Sequence, residues 1–134
     1  MKVFIDSNVP MYVAGREHPN REPARRLLAQ VHSGEFEGYT SAEVLQEILF
    51  RYHGMGRAEV AGQVYDLFLE LCPSVLPVSL ADLDRAREVL ATTAGVSVRD
   101  AVHAGVMLNH GLSHIATFDT GFDRIGGIER LRLV

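Results

Sequence analysis

The segment MKVFIDSN, Met1 to Asn8, decides how the rest of the chain is read. Val3, Phe4 and Ile5 form a short apolar run of β-branched and aromatic residues, too brief for a helix and typical of a strand buried on both faces. The run ends abruptly in Asp6, Ser7 and Asn8, which puts an acid where a central strand stops. In open α/β sheets ligand sites lie outside the carboxyl ends of the strands, so Asp6 is the first candidate for chemistry. Whether other carboxylates arrive beside it is the question put to the rest of the chain.

Working outward, strand and helix patterns alternate without repeats, low-complexity tracts or linkers. Asn8 and Pro10 open a short helix to Gly15, and Ala24, Leu27, Leu28 and Val31 mark one face of a second helix that ends at Gly34. Phe36 to Thr40 is a weak strand, interrupted by Gly38. Val44, Leu45, Ile48, Leu49 and Tyr52 line the helix Thr40 to His53, which carries two glutamates. Thr40 and Glu43 have the spacing of a capping box, which gives Glu43 a structural task. Glu47 lies a turn further in, beside the apolar stripe, where it either pairs with Arg51 in solvent or faces inward as a functional acid. A further helix, Arg57 to Leu71, packs through Val60, Val64, Leu67, Phe68 and Leu71.

Val75 to Ser79 reads as a strand, and Ser79 with Asp82 caps a helix to Thr93 whose inner face is Leu83, Ala86, Val89 and Leu90. In VSVRDAVHAGVMLNHG, Val96 to Gly111, Ser97 caps a helix with Ala101, Ala104, Val106 and Leu108 inside, and Gly105 allows close approach of a neighbour. Asp100 falls in the first turn, where the helix dipole favours an acid in any case and also fixes its direction. The six histidines show no metal-binding spacing. Ser113 to Phe118 is a strand that, like the first, delivers an acid at its end, Asp119, with Asp123 four residues on; Arg130 to Val134 reads as a last strand.

Composition excludes several classes. A chain of 134 residues, 47% hydrophobic and 22% charged, is one domain with a continuous core, spanning 1–134. No apolar run approaches the ~18 residues of a membrane span and no signal segment is evident, so the expected location is the cytoplasm. The single cysteine, Cys72, beside Leu71, is expected to be a buried apolar residue. A formal charge of −4 argues against a basic-patch nucleic-acid binder, unless converging acids bind cations that offset the repulsion of a phosphate chain. A P-loop or dinucleotide-binding Gly-rich turn is absent, and Lys2, the only lysine, stands at the wrong end for the late-strand lysine of a receiver domain.

The pieces FIDSN with Asp6, SAEVLQEI with Glu47, VRDAVHAGVMLNHG with Asp100, and ATFDTGFD with Asp119 and Asp123 together resemble the PIN domain, and within it the VapC-like toxins of type II toxin–antitoxin pairs. The resemblance does not extend to segments 16–22 and 51–57. It implies a PIN-like α/β domain and a ribonuclease dependent on Mg²⁺ or Mn²⁺, with a small antitoxin as partner and a homodimer as assembly. Helix faces Ala24 to Val31 and Val60 to Leu71, richer in apolar residues than a small sheet can cover, point to a dimer as well. Oxygen-only clusters suit such hard cations. Asp6, Asp100 and Asp119 are the expected ligands, with Glu47 ligating or orienting the attacking water, Asp123 as a fifth member, and Asn8 and Thr117 bonded to the carboxylates. Crowded acids hold protons until a cation binds and displaces them. The rival expectation is a catalytically inactive relative that binds RNA or protein through the same surface.

Overall fold

The structure, a computed structural model, describes residues 1–134. Strands β1 (Lys2–Ile5), β2 (Glu37–Ser41), β3 (Ser74–Leu76), β4 (His114–Ala116) and β5 (Glu129–Arg130) form one sheet in the order β3-β2-β1-β4-β5, every pairing parallel. Helices α1 (Asn8–Ala14), α2 (Arg21–His32), α3 (Ala42–Gly54), α4 (Ala58–Leu71), α5 (Leu80–Thr92) and α6 (Val98–Asn109) make the crossovers and cover both faces. α1, α2 and α4 pack together, while α5 and α6 form a separate closely packed pair.

β1 is central, and Val3, Phe4 and Ile5 are wholly buried, as the opening run predicts. The chain winds to one side of β1 through β2 and β3, then crosses to β4 on the other side. The strand order therefore reverses at β1 and β4, and the crevice at their carboxyl ends is where such sheets bind ligands. Asp6 follows β1 directly.

Local chemistry explains the weaker elements. Gly38 keeps β2 usable because a Cβ there would stand 2.9 Å from Val31 Cγ1 and 3.0 Å from Cys72 Sγ, so α2 and the end of α4 close over the strand only at a glycine. Cys72 is fully buried, and burial pushes its thiol up to about 12, which leaves it unreactive at neutral pH.

Several expectations are corrected. Ser41, not Thr40, caps α3, its Oγ accepting from the Val44 amide at 3.3 Å. Thr40 lies inside β2 and donates to the Ile5 carbonyl, so Thr40 and Glu43 form no capping box. Asn8 starts α1 but turns its amide elsewhere. β5 is two residues long, although Leu131 N still bonds Ile115 O at 2.8 Å. Leu83 and Leu90 are exposed on α5, where Ala86 and Val89 alone reach the core. The apolar face of α2 is fully used inside the chain, whereas Leu67 of α4 is open to solvent. No helix is long and apolar enough to cross a membrane.

Candidate metal centre

Asp6 is fixed from two directions. Its Oδ1 accepts the Ser7 amide at 2.7 Å, a consequence of the tight strand-to-helix turn, and its Oδ2 accepts the Thr117 hydroxyl at 2.8 Å. Thr117 Oγ1 also accepts from Asn8 Nδ2 at 3.0 Å and from the Asp119 amide at 3.1 Å. Its one hydrogen and both lone pairs are thereby used, so the hydroxyl can point only at Asp6. Asn8 Oδ1 takes the Phe118 amide as well, tying the ends of β1 and β4 together.

Glu47 does not reach out to Arg51. It lies three residues after Val44 on the inward face of α3 and is 8% exposed. Ser7 Oγ donates to its Oε2 at 2.7 Å, and His103 Nε2 lies 2.6 Å from its Oε1. The Arg99 guanidinium, largely in solvent, approaches to 4.0 Å at the mouth of the site.

Asp100 and Asp119 converge from α6 and from the turn after β4. Gly121 makes this convergence possible: a Cβ there would stand 3.1 Å from Asp119 Oδ1 and 3.4 Å from Asp100 Oδ2, in the space the two carboxylates share. The Gly121 amide holds Asp119 Oδ1 at 2.8 Å. Burial, then a hydrogen bond and charge repulsion from Asp119, then Asp6, push Asp100 up to about 7. Burial also raises Asp6, against the opposing pull of His103 and Thr117.

Asp6 and Glu47 thus meet around His103 at the sheet's switch point, and Asp100 meets Asp119 beside them, near enough to Asp6 for its charge to be felt, with Thr117 bonded behind Asp6 and Asn8 behind Thr117. Asp123 is placed differently. Arg130 takes both of its oxygens, at 3.0 and 3.1 Å, and holds it below the usual carboxylate range.

His103 is the residue the sequence reading passed over. It is fully buried between Phe4 and Phe122, and its Nε2 lies 3.7 Å from Asp6 in addition to its contact with Glu47. Burial alone would lower its pKa, but the Glu47 hydrogen bond and the charges of Asp6, Glu47 and Asp100 raise it on balance. The available signal was helical: His103 follows Asp100 by three residues between Ala101 and Ala104, on the inner face of α6. Spacing between histidines carries no trace of it.

Donor atoms of Asp6, Glu47 and His103 lie within 4.8 Å of one another, and Asp100 and Asp119 crowd the same crevice. A hard divalent cation fits a crevice lined by these carboxylates, because it would relieve the repulsion between Asp100 and Asp119 and displace the proton that Asp100 holds.

A family model of the PIN domain matches residues 3–128, and the chain belongs to the PIN-domain family. Within that family its relatives are VapC ribonucleases. It is 40% identical over 129 residues to ribonuclease VapC13 of Mycobacterium tuberculosis, covering 96% of this chain and 98% of that protein. Ribonuclease VapC23 of the same organism is 36% identical over 117 residues, covering 87% and 92% of the two chains. Among solved structures, M. tuberculosis VapC20, a toxin that cleaves the sarcin–ricin loop, superposes with a TM-score of 0.72 at 20% identity over 87% of this chain and 89% of that one. A chain of VapBC2 from Rickettsia felis, solved on a DNA fragment from its promoter, gives 0.73 at 16% identity over 98% and 100%. At those identities the likeness establishes the fold.

Proposed function

We propose that this protein is a metal-dependent ribonuclease that hydrolyses RNA phosphodiester bonds and acts as the toxin of a toxin–antitoxin pair. The observation that carries the reading is the gathering of Asp6 with Glu47, beside the Asp100–Asp119 pair, at the carboxyl edge of the sheet. Kinship with VapC ribonucleases over nearly the whole chain supports the substrate class, and the solved VapBC assemblies of related fold support a small protein antitoxin as partner.

Asp6, Asp100 and Asp119 would hold Mg²⁺ or Mn²⁺. When bound, the cation supplies charge stabilisation for the phosphoryl oxygens and lowers the pKa of water. The chain supplies the rest. Thr117, Asn8 and the Ser7 amide fix the direction of Asp6. Ser7 and His103 hold Glu47 so that it can orient the attacking water and accept its proton. Arg99 at the mouth offers a guanidinium to the incoming phosphate. Asp123 is assigned to holding Arg130 rather than to the ion.

The test is an RNA-cleavage assay under Mg²⁺ and Mn²⁺ titration. Cleavage is expected with either ion, none in excess chelator, and a loss of about 100-fold in Glu47→Gln, the scale of removing one preorganised group from a site of developing charge. Undiminished cleavage in chelator ends the metal-nuclease reading. The homodimer is proposed on the exposed apolar side chains Phe50, Leu67 and Leu69 rather than on α2, and a mass independent of concentration at that of one chain counts against it.

A further inference from the structure

We propose that Tyr12, His18 and Phe118 form a stacking platform for a nucleobase beside the scissile phosphate. This rests on the ribonuclease reading and names the surface that would grip the base. Phe118 stands in the chain between Thr117, which holds Asp6, and Asp119. Tyr12 meets it edge-to-face, ring centroids 5.1 Å apart, and His18 continues the row 4.7 Å beyond Tyr12. The row therefore begins where α1 meets the end of β4, at the Asn8–Phe118 hydrogen bond, and leads outward to an exposed imidazole.

The row is built before any ligand arrives. Asn8 and Tyr12 are four residues apart on α1, so the helix face that anchors Thr117 also carries Tyr12 toward Phe118. The Phe118 amide is held by Asn8 Oδ1, and His18 Nδ1 accepts the Asn20 amide at 3.0 Å, which fixes the imidazole. Tyr12 and Phe118 remain partly open to solvent despite their contact. Nothing in the core requires a histidine to lie against Tyr12 in a loop that is otherwise polar and exposed.

Every base has a π-face, so a row of rings grips single-stranded RNA with little sequence preference. Arg16, two residues before His18, is exposed and makes no ion pair, which leaves a cation for the backbone. An apolar helix of a protein partner would want a continuous aliphatic ridge, and the loop Arg16, Glu17, His18, Pro19 offers none.

The experiment places 2-aminopurine at successive positions of a single-stranded oligonucleotide and follows its fluorescence in Ca²⁺ with the RNA checked for integrity, alongside cleavage kinetics in Mn²⁺. Stacking at one position next to the cleaved bond quenches the probe on the parent. His18→Ala, at an exposed site, and Tyr12→Leu are each expected to abolish the quench and raise KM about tenfold with kcat little changed, while Tyr12→Phe keeps both parental values. A parent that cleaves RNA while all three variants match it in KM and quenching overturns the platform and leaves the nuclease reading intact. Loss of binding to a co-purified protein inhibitor with RNA binding unchanged also overturns it, making the row a protein contact. A parent that cleaves no RNA with either cation removes the nuclease reading and the platform with it.

Discussion

Helices α5 and α6 begin with the same pattern, Ser-x-x-Asp, and use the aspartate in opposite ways. At α5, Ser79 Oγ caps the Asp82 amide while Asp82 Oδ2 accepts the Ser79 amide at 2.9 Å, and Asn109 of α6 binds Asp82 Oδ1 at 2.9 Å. At α6, Ser97 Oγ caps the Asp100 amide in the same way, but the carboxylate does not fold back; it faces Asp119 and Asp6. Both aspartates are buried. Burial pushes each upward, yet the hydrogen bonds to Ser79 and Asn109 bring Asp82 below its usual value, whereas Asp100, crowded by other acids, rises to about 7. A buried acid with its donors supplied is architecture; one left facing other acids carries a repulsion that the fold itself does not answer.

Asp100→Asn and Asp82→Asn separate the two roles most widely. Asp100→Asn is expected to lower cleavage about 100-fold while leaving the chelated protein as stable as the parent or more so, since it removes a repelled charge. Asp82→Asn is expected to leave cleavage intact and reduce stability by about 1–3 kcal/mol, because an amide has one acceptor for the two donors that Ser79 and Asn109 present. Thermal melts with and without Mn²⁺, beside the cleavage assay, decide it; equal behaviour of the two variants in both assays dissolves the distinction.

Next in size is the pH dependence of stability without metal. The folded chain keeps a proton on Asp100 that the unfolded chain releases, so between the usual value of 3.8 and about 7 stability falls as pH rises, and this contribution is flat above that window. His103 acts in the same direction, its folded pKa raised, so its contribution is lost as pH climbs above 6.5. Asp82 acts oppositely, giving stability above 3.8 that is lost as pH falls through its lowered folded value. Denaturation midpoints across pH in chelator are expected to show the decline, and Asp100→Asn to flatten it; an unchanged slope in that variant contradicts the assignment.

Smaller effects sharpen the same contrast. Ser79→Ala and Ser97→Ala each lose an N-cap worth about 1 kcal/mol, but only Ser97→Ala is expected to slow cleavage, because the turn it holds aims Asp100. Smallest is Glu43→Gln, within about 0.5 kcal/mol of the parent and fully active, since the structure gives Glu43 no cap to lose.

The elements most legible in the sequence were those whose signals were local and redundant. β1 announced itself by three apolar residues against an acid, and α6 by a capping serine, an inner small-residue face and Gly105, where a Cβ would stand 3.0 Å from the Ala86 amide nitrogen. Glu47 was readable as an acid beside a buried stripe, but its partners Ser7 and His103 are 40 and 56 residues away, which no local pattern encodes. Thr40 carried the capping spacing to Glu43, but β2 pairs with β3 as far as Ser41, so the helix begins one residue later than that spacing suggests. Asp123 looked like a further site acid until Arg130, seven residues on, closed over it. Leu83 and Leu90 obeyed helical spacing on a helix that buries a narrower face than the pattern allows.

The hydrogen bond from Thr117 to Asp6 spans 111 residues, and its consequence lies in time. β1 is made first, yet its pairing with β4 waits for residues 115 and 116, and Asp119 comes later still. At about 5–20 residues per second, the ribosome takes on the order of ten seconds between delivering the first carboxylate and the last. Throughout that interval the emerging chain holds Asp6, then Glu47, then Asp100, without the sheet edge that brings them together. The acidic site of a chain built this way is assembled only when its synthesis is nearly finished.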